Sequence, residues 1–335
     1  MEGEKVLALA LTFKKGFGPK SIFELFEKYG SLAEAVEKEG IELSKELDRA
    51  RGEILRASQL GVKVVPFFSE EYPQELLNLS SPPVALFVKG ELHSSPAVSV
   101  VGSRRCSEYG RKTAFRLGRF LAKSGVPVIS GLALGIDTAA HEGALAGGGE
   151  TVAVLGSGIG RIYPSSNRGL AEKVAKSGAL ISEFPVDYPP KRENFPKRNR
   201  IVAALGEVLV VVEAQERSGT FITVDYALEL GKEVFVVPGN IDSPFSRGTN
   251  KLLKEGARPL TDFEELLSFV KPKRFSPALP PPELSGVYSL LKETSLTADE
   301  IAHRLGLNPG AVSGILTRLE VEGLVKKEGA LWFAL

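Results

Sequence analysis

Residues 97–105, AVSVVGSRR, read as a short β-strand that stops at a glycine and runs into two arginines. The same kind of run returns as VPVIS (126–130), TVAVL (151–155), ALISEF (179–184), VLVVV (208–212) and EVFVV (233–237). Between these runs lie stretches of helical periodicity at 108–123, 137–146, 167–176 and 221–230. Strands that are apolar throughout and alternate with helices predict an α/β domain, a parallel sheet covered on both faces. Sheets of this kind hold their ligands beyond the carboxyl ends of the strands, which is where the GSRR turn falls.

The flanks read differently. Residues 1–60 have helical periodicity, with Gly16-Phe17-Gly18-Pro19 between two helices. Such a loop is either a helix-hairpin-helix element, whose amides approach a phosphate backbone, or a plain turn in which glycine supplies a positive φ. Residues 61–96 are expected to carry one strand, 62–67, and a proline-containing connection, so that the sheet domain covers 61–270. The segment 271–283, KPKRFSPALPPPE, has five prolines and reads as a linker. Beyond it, 284–335 is expected to form three helices and a hairpin around Glu328-Gly329, a winged helix. That segment carries five Lys/Arg against six Asp/Glu, which favours a protein contact or a packing role over duplex reading.

Of the 335 residues, 43% are hydrophobic and 25% charged, the balance of an ordinary globular protein. The longest apolar runs fall far short of the ~20 residues that span a bilayer, and the N-terminus lacks a basic segment followed by a cleavage site. A cytoplasmic protein without a membrane span is expected. The single cysteine, Cys106, and three widely separated histidines predict no metal site. The net charge of +1 neither supports nor excludes nucleic acid, because a local patch can hide inside a neutral total.

Two segments concentrate positive charge. From 102 to 123 there are seven basic residues against Glu108 alone. A solvated helix face accounts for those from Arg111 to Lys123, whereas Arg104 at a strand end is suited to clamp a phosphate. The second segment, KRENFPKRNR (191–200), embeds Phe195 among five cations. Cations that follow phosphates around a ring that stacks on a base are what single-stranded nucleic acid requires, although Phe195 could equally be a core anchor. The run GSGIG (156–160), with Glu183 at the next strand end, resembles a dinucleotide loop, but Arg161 stands where the third glycine belongs and Pro164 interrupts the helix start. Asp137 and His141 are spaced as a possible acid–base pair or as a helix cap beside a packed histidine. Arg217-Ser218-Gly219-Thr220 resembles the loop of the lysine-decarboxylase-like nucleoside monophosphate phosphoribohydrolases, with Thr223 in place of that motif's carboxylate.

The set VVGSRR (100–105), SGLALGID (130–137), AVLGSGIGRIYPSSN (153–167), ISEFP (181–185), NFPKRNRIVA (194–203), VVEAQERSGTFIT (211–223) and VFVVPGN (234–240) resembles, in order, the DNA-processing protein A family, also called Smf. The resemblance implies an extended Rossmann-like sheet domain, with 1–60 similar to the SAM-like or helix-hairpin-helix accessory modules of some members and 284–335 to their winged helix. It implies a cytoplasmic homodimer that binds single-stranded DNA without sequence preference, protects it and helps to load the RecA recombinase, with no catalysis and no cofactor. The strand-binding residues it implies are Gly102, Ser103, Arg104, Arg192, Phe195 and Lys232. Arg198, Asn199 and Arg200 belong to the same signature, as phosphate ligands or as braces of the pocket. A phosphoribohydrolase-like enzyme and a duplex-binding winged-helix regulator are the alternatives.

Overall fold

A computed structural model describes residues 2–92, 96–270, 282–321 and 325–334; His93 and residues 271–281 of the linker expected at 271–283 lie outside them, and the last two linker residues open a helix instead. The chain divides into two compact units, Met1–Lys271 and Pro272–Leu335.

In the first unit, four helices, α1 (Glu2–Phe13), α2 (Pro19–Tyr29), α3 (Leu32–Lys38) and α4 (Ser44–Gln59), precede strands β1 (Lys63–Pro66) and β2 (Ala85–Gly90). Then follow β3 (Val98–Val101), α5 (Glu108–Lys123), β4 (Val128–Ser130), α6 (Ile136–Ala146), β5 (Thr151–Val154), α7 (Arg168–Ser177), β6 (Ala179–Ser182), α8 (Asn194–Leu205), β7 (Val208–Val211), α9 (Thr220–Glu229), β8 (Glu233–Val236), α10 (Arg247–Lys254) and β9 (Arg258–Pro259). The strands form one sheet in the order β1-β2-β6-β5-β4-β3-β7-β8-β9. From β6 to β9 all neighbours are parallel, as the alternation of strand and helix predicts. The chain lays strands outward from β3 to β6 and then returns to put β7 on the other side of β3. The β3/β7 junction is therefore the point where strand order reverses, and crossover connections on its two sides leave a crevice there.

One expectation needs correction. Residues 61–96 hold two strands, not one, and β2 runs antiparallel to both β1 and β6, so the sheet is mixed. The run 85–88 is buried throughout, which is the mark of a strand covered on both faces, and the preceding Pro82-Pro83 obscures it in the sequence.

Period-two alternation divides the strand side chains between two cores. Val208, Val210 and Phe235 face α5 and α6, while Leu209, Val211, Val234 and Val236 face α8 and α9. The N-terminal helices share this second core: Leu9, Leu11, Ile22 and Leu43 are buried with Val64, Phe67, Tyr72 and Phe87. The Gly16–Gly18 loop is a turn in which Gly16 takes φ +92°. Where α5 crosses α6 the backbones nearly touch: a Cβ on Gly143 would stand 2.1 Å from the Phe115 carbonyl oxygen, and one on Gly118 would stand 2.3 Å from that of Ala140.

The second unit comprises α11 (Pro282–Glu293), β10 (Leu296–Thr297), α12 (Ala298–Leu305), α13 (Pro309–Val321), β11 (Val325–Glu328) and β12 (Leu331–Ala334). Its three strands pair in the order β10-β12-β11, giving a winged helix with a core of its own around Leu291, Ile301, Leu316 and Trp332. Among the described residues no helix is long and apolar enough to cross a membrane.

Candidate nucleic-acid interface

A cleft of about 440 Å³ opens at the carboxyl ends of the strands beside the β3/β7 junction. Its floor is the turn after β3. Gly102 is required there because a Cβ would stand 2.6 Å from Ile136 Cγ1 and 2.9 Å from the Glu213 carbonyl oxygen. The Ser103 amide donates to that carbonyl (2.8 Å), and the Ser103 hydroxyl, donating to the Arg105 carbonyl (2.7 Å), folds the turn outward. Arg104 and Arg105 are thereby exposed at the strand end.

The opposite wall is the start of α8. Phe195 is half-buried and is not part of either hydrophobic core of this unit. One edge of its ring lies on Gly156, where a Cβ would come within 2.7 Å, and the Arg104 guanidinium stands 4.9 Å from the ring centroid. Tyr163, itself half-exposed, lies 5.5 Å away, ring to ring. Arg192 is exposed at the rim, and Asn199 faces the same space. The third wall, Gln215 and Ser218–Thr223, is the segment that resembled the phosphoribohydrolase loop.

Beneath the floor, Arg198 is only 4% exposed. Its Nη1 donates to the carbonyls of Gly131 (2.5 Å) and Val154, tying together the ends of β4 and β5. Burial pushes its pKa down to about 10, opposed by Asp137. Asp137 accepts from the Ala133 amide (3.3 Å), and burial raises its pKa against the pull of Arg198. Asp137 thus closes the loop before α6. His141 pairs instead with Thr151 Oγ1 (2.7 Å), so the histidine is packed and Asp137 holds the preceding loop without capping the helix, and the two are not an acid–base couple.

Seven of the nine residues singled out from the sequence line this cleft: Gly102, Ser103, Arg104, Arg192, Phe195, Arg198 and Asn199. Arg198 contributes as a brace, since its guanidinium is committed to backbone carbonyls. The other two lie elsewhere. Arg200 forms an ion pair with Glu183 (2.5 Å), both largely buried on the side of the sheet toward Tyr72. Lys232 precedes β8, at the amino end of the sheet, where Nζ donates to the carbonyls of Ala204 and Gly206. Burial pushes its pKa down to about 8. It caps the C-terminus of α8, a place where carbonyls lack partners and a cation is favoured.

The glycines of GSGIG also serve packing. A Cβ on Gly158 would stand 2.0 Å from the Pro185 carbonyl oxygen, and the amides of Gly158 and Gly160 donate to Tyr188 and Val186. Those amides are spent within the protein and do not point at a pyrophosphate. Sequence reasoning missed Glu213, whose carboxylate accepts from the amide (2.8 Å) and hydroxyl (2.5 Å) of Ser107 and so anchors the start of α5 beside the GSRR turn. It missed Tyr163 as well. The available signal was position: Glu213 follows β7 as Gly102 follows β3.

The fold and cleft define a Rossmann-like α/β protein with a cationic, aromatic crevice at its switch point and a winged helix on the same chain. Residues 63–271 match the family model of DNA recombination-mediator protein A, and residues 271–329 that of the DprA winged helix domain. The chain belongs to the DNA recombination-mediator protein A family. It is 41% identical over 281 residues to protein Smf of Escherichia coli, covering 78% of this chain and 74% of that one, and 37% identical over 209 residues to the DNA processing protein DprA of Bacillus subtilis, covering 62% and 70%. Its structure is similar to that of DprA from Streptococcus pneumoniae, with a TM-score of 0.67 at 32% identity over 79% of this chain and 96% of that one. It is also similar to that of DprA from Helicobacter pylori, described for its single-stranded DNA binding mode, with a TM-score of 0.57 at 31% identity over 62% and 94%.

Proposed function

We propose that this chain binds single-stranded DNA in the cleft without reading its sequence, shields the strand, and helps to load the RecA recombinase onto it, as a cytoplasmic homodimer acting in transformation and recombination. The observation that carries the binding reading is the Arg104 guanidinium poised over a half-exposed Phe195 at the switch point. A guanidinium beside an aromatic ring pairs a phosphate while the adjacent base stacks, an arrangement that every base satisfies. The H. pylori relative, whose structure was described for its single-stranded DNA binding mode, supports the same ligand class here. The RecA and dimer parts of the reading rest on family membership. Among the described residues the carboxylate lining the cleft is Asp137, buried and occupied by backbone donors, which favours holding a strand over cleaving one. Competition between single- and double-stranded oligonucleotides of one sequence tests the proposal. Single strands are expected to displace a labelled single strand at far lower concentration, and equal competition by duplex would overturn it.

A further inference from the structure

The surplus of positive charge on α5 is not used by the cleft. Lys112, Arg116, Arg119 and Lys123 follow one another at i, i+4, i+7 and i+11, so they form a single stripe ~16 Å long down the helix. All four are exposed. A solvated face normally mixes both signs, but the one acidic residue of α5 is Glu108, and it already holds Arg111 (3.1 Å) and Lys112 (3.5 Å). Arg119 and Lys123 have no ion pair among the described residues, and Arg116 rests above the Phe263 ring. Alongside the stripe, a groove of about 320 Å³ between α5 and α6 exposes one side of Phe115 among Arg111, Lys112 and Arg116, and among the described residues its acidic wall is Glu142 of α6. The stripe starts at the cleft: α5 begins three residues after Arg105, and Glu213 fastens its first turn to the end of β7.

We infer that a single strand leaving the cleft past Arg104 and Arg105 continues along α5, its phosphates paired with Lys112, Arg116, Arg119 and Lys123. This inference rests on the cleft reading and extends it from a nucleotide pocket to a track. The charge on the track is useful to a polyanion longer than the cleft, whereas a strand just filling the cleft does not reach it. The ring of Phe115 in the groove gives a base leaving the cleft a further surface.

The test uses the full chain, an oligo-dT of about 5 nucleotides and one of about 20, lengths that bracket a short site. R119E/K123E is compared with K173E/K176E, an equal change of charge on exposed positions of α7, which packs on β5 and β6 beyond α6. R119Q/K123Q repeats the test without charge reversal, and melting temperatures confirm that each variant is folded. The expected result for R119E/K123E is about tenfold or greater loss for the long tract, a salt slope shallower by about 1.4 for two lost contacts, and little change for the short tract. K173E/K176E leaves both tracts nearly as in the unaltered chain. Equal effects of the two double variants on the long tract would overturn the inference while leaving the cleft reading intact. An Arg104→Ala chain that binds both tracts normally would remove the cleft reading and, with it, the continuity claimed for α5.

Discussion

At the scale of residues, the proposed site divides the work of binding between charge at Arg104 and stacking at Phe195, and salt separates the two. Removing a phosphate contact reduces the number of counterions released, so Arg104→Ala is expected to flatten the plot of log affinity against log salt by ~0.7. Phe195→Ala is expected to weaken binding by ~1–3 kcal/mol with the slope nearly unchanged. A thermal melt belongs beside that measurement, because the ring also covers Gly156; a folded variant that binds normally would assign Phe195 to packing. His141 gives a prediction about pH. Thr151 Oγ1 donates its proton to the Val128 carbonyl (2.8 Å), so it accepts from His141 Nδ1–H. A second proton would go to Nε2, which is buried without a partner. Burial, with Arg198 nearby, therefore pushes the pKa down to about 3. The unfolded chain takes up this proton near pH 6.5 and the folded chain does not, so stability falls as pH drops from about 6.5 toward 3, by up to ~1.4 kcal/mol per pH unit. The raised carboxyls of Asp137 and Glu183 act in the opposite direction but remain in a His141→Asn variant, which keeps a donor for Thr151. Urea unfolding at pH 7 and pH 4.5 should show the unaltered chain losing stability relative to that variant.

At the scale of elements, the α5–α6 crossing holds both the GSRR turn and the basic stripe. Gly143 allows the two backbones to meet, and its Cβ direction is blocked by the backbone of residue 115 rather than by a side chain that could turn away. Gly143→Ala should cost ~1–3 kcal/mol by overpacking. Gly52→Ala makes the contrast. Gly52 is exposed in the middle of α4 with nothing within 4 Å of its Cβ direction, so alanine should stabilise by ~0.5–1 kcal/mol through helix propensity. Denaturant midpoints of the two variants check both signs.

At the scale of the whole molecule, the two units have separate cores, and the winged-helix segment carries slightly more negative than positive charge. It has little to offer a phosphate backbone by Coulomb attraction, and α13 contains one basic residue, Arg318. A chain ending at Val270 is therefore expected to bind a labelled single strand within a few-fold of the full chain at the same salt. Light scattering must accompany the titration, since a change of oligomeric state alters apparent affinity on its own. Loss of tenfold or more, ~1.4 kcal/mol, at unchanged mass per protomer ratio would give the winged helix a direct part in binding.

The sequence by itself determined the parallel sheet, the strand ends and the winged helix. These follow from local rules: strand and helix periodicity over a few residues, and glycine where no side chain fits. It set Arg104 at a strand end but left Phe195 open between a stacking ring and a core anchor; that the two share a cleft is a tertiary contact. Tertiary structure alone decided what the remaining cations do. Arg198, Arg200 and Lys232 share the composition of a phosphate site, yet Arg198 meets carbonyls at residues 131 and 154, Arg200 meets Glu183, and Lys232 meets residues 204 and 206. The antiparallel β2 and the core shared by the N-terminal helices were decided in the same way. The physical reason is that a long charged side chain is claimed by whichever partner the fold brings within reach. Those partners lie up to 67 residues away along the chain, far outside the window in which periodicity carries information.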